Sequence, residues 1–181
     1  RHELVARMQE IVDLLRLQDA RITPALARDL DGFDDAIAFL LRSDLVKAAA
    51  DPRGEILYYD EGARRALDLY RNCILHFLAP PSFLARRVLS GGSADELHED
   101  LRFWLDLFHE ELFTPRGLVL AAHGEAFLDY FERLGAIERH EGAVRATEKG
   151  RPYLHRLAMQ TRGLLEAWAA AFDSALGDPQ L

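Results

Sequence analysis

The residues best suited to chemistry lie between Leu67 and Pro81, in the segment LDLYRNCILHFLAPP. Arg71, Asn72 and His76 lie among apolar residues, and a helix that is apolar nearly all round is normally covered by protein. Buried polar groups of this kind need partners. Asn72 and His76 are four residues apart and share a helical face. We therefore expect these side chains and Tyr70 to have specific partners, inside this chain or outside it.

Arg71 has two candidate partners. Asp68, three residues earlier, can pair with it within the helix. A guanidinium offers five donors, more than one carboxylate uses, so a neighbouring domain or a phosphate group can also bind it. If Arg71 forms a buried pair within the chain, we expect its removal to lower the chain's own stability by roughly 3 kcal/mol or more. If Arg71 contacts another domain instead, we expect its removal to lower the stability of this chain by less than about 1 kcal/mol.

The other motifs are incomplete. Residues 91–95, GGSAD, lack the last glycine of a serine-hydrolase elbow. Residues 109–113, HEELF, begin like a zinc-protease helix but have Phe113 where the second histidine must be. The lone Cys73 excludes a multi-cysteine zinc site within the chain. We therefore predict no catalytic, metal-binding or cofactor-binding residue here, and no cofactor.

Composition restricts the classes of function. The chain has 181 residues, 49% of them hydrophobic, and a net charge of −8, which is ordinary for a globular protein. The acidic balance argues against a nucleic-acid partner. One cysteine and no signal-peptide pattern favour a cytoplasmic location. The chain starts at Arg1, and we expect a fragment of a longer protein.

Periodicity predicts two helix-plus-hairpin units. The first has helices near 3–17, 24–30 and 33–42 and strands near 45–48 and 55–59, which is the winged-helix order. A long buried helix over 62–79 follows, ended by Pro80-Pro81. Ser90-Gly91-Gly92 is predicted to be a hinge.

The second unit opens with a capping box at Ser93–Glu96. It is completed by helices to about 112 and over 118–134, by strands at 136–140 and 143–146, and by a last helix to about 176. The two units form a weak internal repeat with a period of about 90 residues. The predicted fold class is mainly α, with two winged-helix-like units (1–89 and 93–181) and long packing helices in one compact domain.

Residues 69–77, LYRNCILHF, followed by Pro80 and Phe83-Leu84-Ala85, resemble the C-terminal region of glycerol-3-phosphate acyltransferases. Dihydroxyacetone-phosphate acyltransferases carry a similar segment. That family has a Tyr-Arg-Asn triplet with a histidine four residues after the asparagine. Residues 107–113, 131–137 and 150–154 resemble the same region in the same order. Cys73 replaces the polar residue expected after the asparagine, which suggests an outlying member.

The resemblance implies a parent enzyme that acylates the sn-1 hydroxyl of glycerol 3-phosphate from a fatty acyl thioester, in phospholipid biosynthesis. It implies a histidine base held by an aspartate five positions later, on an N-terminal domain. No histidine of this chain has that aspartate. The expected role is therefore that of a non-catalytic C-terminal domain packed on the acyltransferase domain. Tyr70, Arg71, Asn72 and His76 would support that contact or the substrate site. Membrane contact, at the cytoplasmic face, would be peripheral and through the parent enzyme.

A winged-helix regulator or protein-interaction domain is the alternative, because the order of elements suits it. The candidate recognition helices carry more acidic than basic residues and would repel phosphate. Their charged residues are Arg28, Asp29, Asp31, Asp34, Asp35 and Arg42.

Overall fold

A computed structural model describes residues 2–24, 31–52, 54–112 and 120–177. The chain is mainly helical with small antiparallel sheets, as predicted. It divides into two compact units, residues 1–77 and 78–181. The division falls inside the part that we assigned to the first unit. That residues 1–89 and 93–181 form one domain of a longer protein stays a prediction.

Unit 1 consists of helices followed by a two-stranded hairpin. Phe33 and Ile37 of its second helix are buried together with Val12 and Leu14 of its first. Gly32 lies within the second helix, and the predicted helix at 24–30 lies almost wholly outside the described residues. The elements are α1 (His2–Arg16), α2 (Asp31–Arg42), β1 (Lys47–Asp51), β2 (Gly54–Tyr58) and α3 (Glu61–Cys73).

Unit 2 is reached through α4, which crosses the division between the units. Its sheet has the strand order β3-β5-β4, with Gly92 opposite Val144 and Ile137 opposite Ala146. Helix, strand, helices and hairpin follow in this order, with the first strand paired to the last, which is a winged-helix order. The predicted hairpin is confirmed, and strand β3 was not predicted. The elements are α4 (Leu75–Val88), β3 (Gly92–Ser93), α5 (Ala94–Leu107), α6 (His109–Leu112), α7 (Leu120–Arg133), β4 (Ile137–His140), β5 (Ala143–Ala146), α8 (Arg151–Ala158), a 3₁₀ turn (Met159–Thr161) and α9 (Arg162–Gly177).

Two sequence predictions for unit 2 are wrong. Ser90-Gly91-Gly92 is not a hinge, because Gly92 pairs in the sheet and the Arg87 guanidinium donates to the Gly91 carbonyl. The last helix is broken after Ala158. The Ala158 carbonyl accepts from Arg86 (3.3 Å) and from the Thr161 hydroxyl (3.3 Å), and the Arg162 N–H bonds the Met159 carbonyl instead.

The capping box at the start of α5 is confirmed. The Glu96 N–H donates to Ser93 Oγ (3.3 Å), and the Ser93 N–H donates to Glu96 Oε2 (2.8 Å). The Ser93 N–H and, to a lesser extent, the Ser93 hydroxyl hold the pKa of the Glu96 carboxyl below its ordinary value. The box also places β3 directly before α5.

We expect Ser93→Ala to lower the free energy of unfolding by about 1 kcal/mol, because the cap loses its acceptor. Urea titration followed by circular dichroism measures this loss. Ser90→Ala is the matched control, since Ser90 is exposed and precedes the cap. Equal stability of the two variants would contradict a role for the cap.

Candidate functional site

The segment that carries the candidate residues forms the end of α3 and the start of α4, and not one buried helix. The break lies at Ile74, whose φ of −113° and ψ of 5° end α3. Pro80 and Pro81 lie inside α4 and do not end it. Pro81 has no N–H to give to the Phe77 carbonyl, and Gln18 Nε2 donates to that carbonyl instead (2.7 Å). A partner 59 positions away along the chain thus satisfies the carbonyl that Pro81 leaves without its helical donor.

Helix α3 is amphipathic and has no buried residue. On a helical projection one arc is apolar and the opposite arc is polar. Leu69 is 66% exposed and Tyr70 is 54% exposed, and Cys73 is exposed as well. The predicted burial is therefore wrong, because Ile74 forms the break and Leu75 to Phe77 belong to the next helix, so they do not extend the apolar surface round α3. The apolar arc consists of Ala63, Ala66, Leu67, Leu69, Tyr70 and Cys73.

The polar arc of α3 is joined by ion pairs. Arg64 lies 3.2 Å from Glu61 and 3.9 Å from Asp68, and Arg71 lies 3.2 Å from Asp68. Arg71 also donates to Asn72 Oδ1 (3.2 Å). Of the two partners considered for Arg71, Asp68 is confirmed. The side chain is 41% exposed, so the pair is a surface pair and not a buried one.

His76 lies in α4 and is half-buried. Its ring contacts that of Phe77, with centroids 4.1 Å apart and planes tilted by 41°. Burial lowers the pKa of His76 below its ordinary 6.5 and so favours the neutral imidazole. Among the contacts of the described residues, no hydrogen bond or ion pair joins His76 to Tyr70, Arg71 or Asn72. The structure brings Arg71 and Asn72 together and leaves His76 on the other side of the break.

A second polar cluster, in unit 2, was missed by the sequence reasoning. Arg139 of β4 pairs with Glu125, with Asp129 (2.9 Å) and with Glu132 (3.4 Å). Burial lowers the pKa of Arg139, but the three carboxylates of α7 outweigh it and raise the pKa overall. His98 Nε2 lies 3.7 Å from Glu125 Oε2. The spacing of the carboxylates along α7 was a signal that they share one face.

The cluster fastens the hairpin to α7, which occupies the position of a recognition helix in the winged-helix order. Its acidic face would repel phosphate. In the described part of the chain, this cluster included, no three His, Cys, Asp or Glu side chains are grouped so as to hold a metal ion. Of the helices that the structure describes, none has the length and apolar character required to cross a bilayer.

Comparison with protein families adds the deciding observation. The model of the glycerol-3-phosphate acyltransferase C-terminal region matches residues 1–180. The chain belongs to this family. Comparison with curated proteins and with solved structures gave no match. The acyltransferase segment at residues 150–154 lies at the start of α8, where Gly150 packs against the backbone of Ala136.

For this acyltransferase region we expect Arg71→Ala to lower the free energy of unfolding by less than about 1 kcal/mol, because exposed ion pairs contribute little. Denaturant unfolding of the chain measures it, with Asp68→Ala and the double variant completing a cycle. A loss of roughly 3 kcal/mol or more would show that Arg71 is part of the structural core after all.

Proposed function

We propose that this chain is the non-catalytic C-terminal domain of a glycerol-3-phosphate O-acyltransferase. The parent enzyme would transfer an acyl group from a thioester to glycerol 3-phosphate and form 1-acylglycerol 3-phosphate in phospholipid biosynthesis. The family match over residues 1–180 carries this proposal. The absence of an aspartate five residues after any of the seven histidines supports it, since a histidine base needs an orienting carboxylate.

The proposed partner is the N-terminal acyltransferase domain of the same protein. Tyr70, Arg71 and Asn72 lie exposed at the end of α3, where a second domain can reach them. Arg71 uses part of its donor set on Asp68 and Asn72, and its remaining donors suit a carboxylate or a phosphate group of the enzyme. His76 is half-buried, and its neutral form offers one donor and one acceptor. We place the enzyme in the cytoplasm, with peripheral membrane contact made by the parent protein.

We expect the chain alone to have no acyltransferase activity, because it lacks the histidine–aspartate pair. The test compares three purified proteins with glycerol 3-phosphate and acyl thioesters: the full-length enzyme, the enzyme without this region, and this chain. Only the full-length enzyme should be fully active. Turnover by the chain alone would contradict its non-catalytic role, and full activity without the chain would contradict its supporting role.

The winged-helix order of unit 2 is the observation that favours the alternative, a regulatory or interaction domain. Its electrostatics disfavour a nucleic-acid partner, because the carboxylates of Glu125, Asp129 and Glu132 line α7. Fold alone does not determine function. The family match therefore makes the acyltransferase role the better supported of the two.

A further inference from the structure

The apolar arc of α3 is not buried against another surface in the described structure, although an amphipathic helix normally buries its apolar side. The helix has 13 residues and none is buried, and helices this short are marginal in water without tertiary packing. Among the exposed large apolar side chains of the described residues, Leu69 has the highest exposure, 66%, and Tyr70 on the same arc has 54%. Cys73 is exposed beside them. An amphipathic helix in this state has an apolar side that another surface can cover.

The polar arc of α3 does not require burial against another surface. Glu61, Arg64, Asp68 and Arg71 form a continuous series of ion pairs along the polar arc. Their charges balance one another, and each of these side chains is at least two-fifths exposed to solvent. Arg65 is the one charged side chain of α3 outside this series of ion pairs, so the helix has little net charge with which to attract a partner. The unpartnered part of α3 is therefore its apolar arc.

The extent of this surface indicates the kind of partner. Two large side chains and Cys73 are far fewer than the roughly 20–30 residues that each side contributes to a stable complex of separate molecules. A domain in the same polypeptide acts at an effective concentration on the order of millimolar, so a smaller surface suffices. A lipid surface is less suitable, because interfacial helices rely on a surplus of basic residues and this chain has a net charge of −8.

We propose that the apolar arc of α3, centred on Leu69, Tyr70 and Cys73, is the surface on which the acyltransferase domain of the same polypeptide packs. This inference rests on the proposed function. It differs from the sequence expectation in one respect: the principal contact is the apolar arc, and Arg71 lies at its edge on the polar side.

The alkylation rate of Cys73 measures whether the apolar arc is buried in the full-length enzyme. The native enzyme is treated with N-ethylmaleimide, and the tryptic peptide of residues 72–86, which contains Cys73, is quantified by mass spectrometry over time. We expect Cys73 to react about tenfold or more slowly than in the urea-unfolded enzyme, because a covered surface must open before reaction. Leu69→Asp should restore fast alkylation and lower acyltransferase activity.

Ile56→Asp is the matched control, since Ile56 is also exposed (48%) and lies in the same unit. It should leave the protection of Cys73 unchanged. Equal alkylation of the native and unfolded enzymes would overturn the proposal, even if deletion of the region abolishes activity and the proposed function stands. Protection that appears only with phosphatidylglycerol vesicles, or only at high enzyme concentration, would also overturn it, in favour of a lipid surface or a second copy.

Discussion

Phe108→Ala is expected to lower the free energy of unfolding by about 4 kcal/mol, the largest effect of any single truncation proposed for this chain. The Phe108 ring is 1% exposed and lies 5.7 Å from Phe83, 5.9 Å from Trp104 and 5.4 Å from Trp168 between centroids. Removing it leaves a cavity among rigid rings that cannot collapse to fill it. The cluster joins α4, α5 and α9.

Urea unfolding followed by tryptophan fluorescence measures this loss directly, because both tryptophans contact Phe108. Phe103→Ala is the control: it lies on α5 beside Trp104 but is 58% exposed, and we expect a loss under about 1 kcal/mol. Comparable losses for the two variants would show that the cluster is not a close-packed core.

Gly150→Ala is expected to destabilise the protein by about 3 kcal/mol, at the upper end of overpacking costs. A Cβ on Gly150 would lie 2.2 Å from both Cα and the carbonyl oxygen of Ala136, which are backbone atoms and cannot rotate away. The turn after β5 would have to separate from the start of β4. That movement would break the bonds from Thr147 Oγ1 to the Gly135 carbonyl (2.7 Å) and from the Thr147 N–H to the Ala136 carbonyl (3.0 Å).

Thermal and urea unfolding of the variant measure the effect. Gly62→Ala is the matched substitution, because a Cβ there meets nothing within 4 Å and alanine is the better helix former by about 1 kcal/mol. It should leave stability unchanged or raise it. If Gly150→Ala unfolded within about 0.5 kcal/mol of the parent chain, the close approach of the two backbones would not matter for stability.

Much of the fold was predictable because its signals are local. The alternation of apolar and polar residues predicted both hairpins, and Glu141-Gly142 with φ of 50° and 81° forms the turn that such a dipeptide favours. Ser93 and Glu96 predicted the start of α5, and their bonds are made within four residues. The Tyr70-Arg71-Asn72 and His76 spacing led to the acyltransferase family that the comparison confirms.

The candidate site was less predictable, since burial depends on what packs against a helix. Composition alone made the segment from Leu67 onward read as buried, and the structure exposes Leu69 and Tyr70. The partner of Arg71 was within reach of sequence reasoning, because Asp68 is three residues away. The exposure of the Arg71 side chain was not within reach of sequence reasoning.

By itself the sequence determined the mainly helical class, the two hairpins, the capping box and the acyltransferase resemblance, since each depends on residues close together along the chain. Only the tertiary structure decided where the helix breaks at Ile74, why Pro81 is tolerated and what fastens β4 to α7. Gln18 supplies the donor that Pro81 lacks, and Arg139 gathers three carboxylates of another element. These contacts join residues of different elements, so the pattern within one element does not specify them.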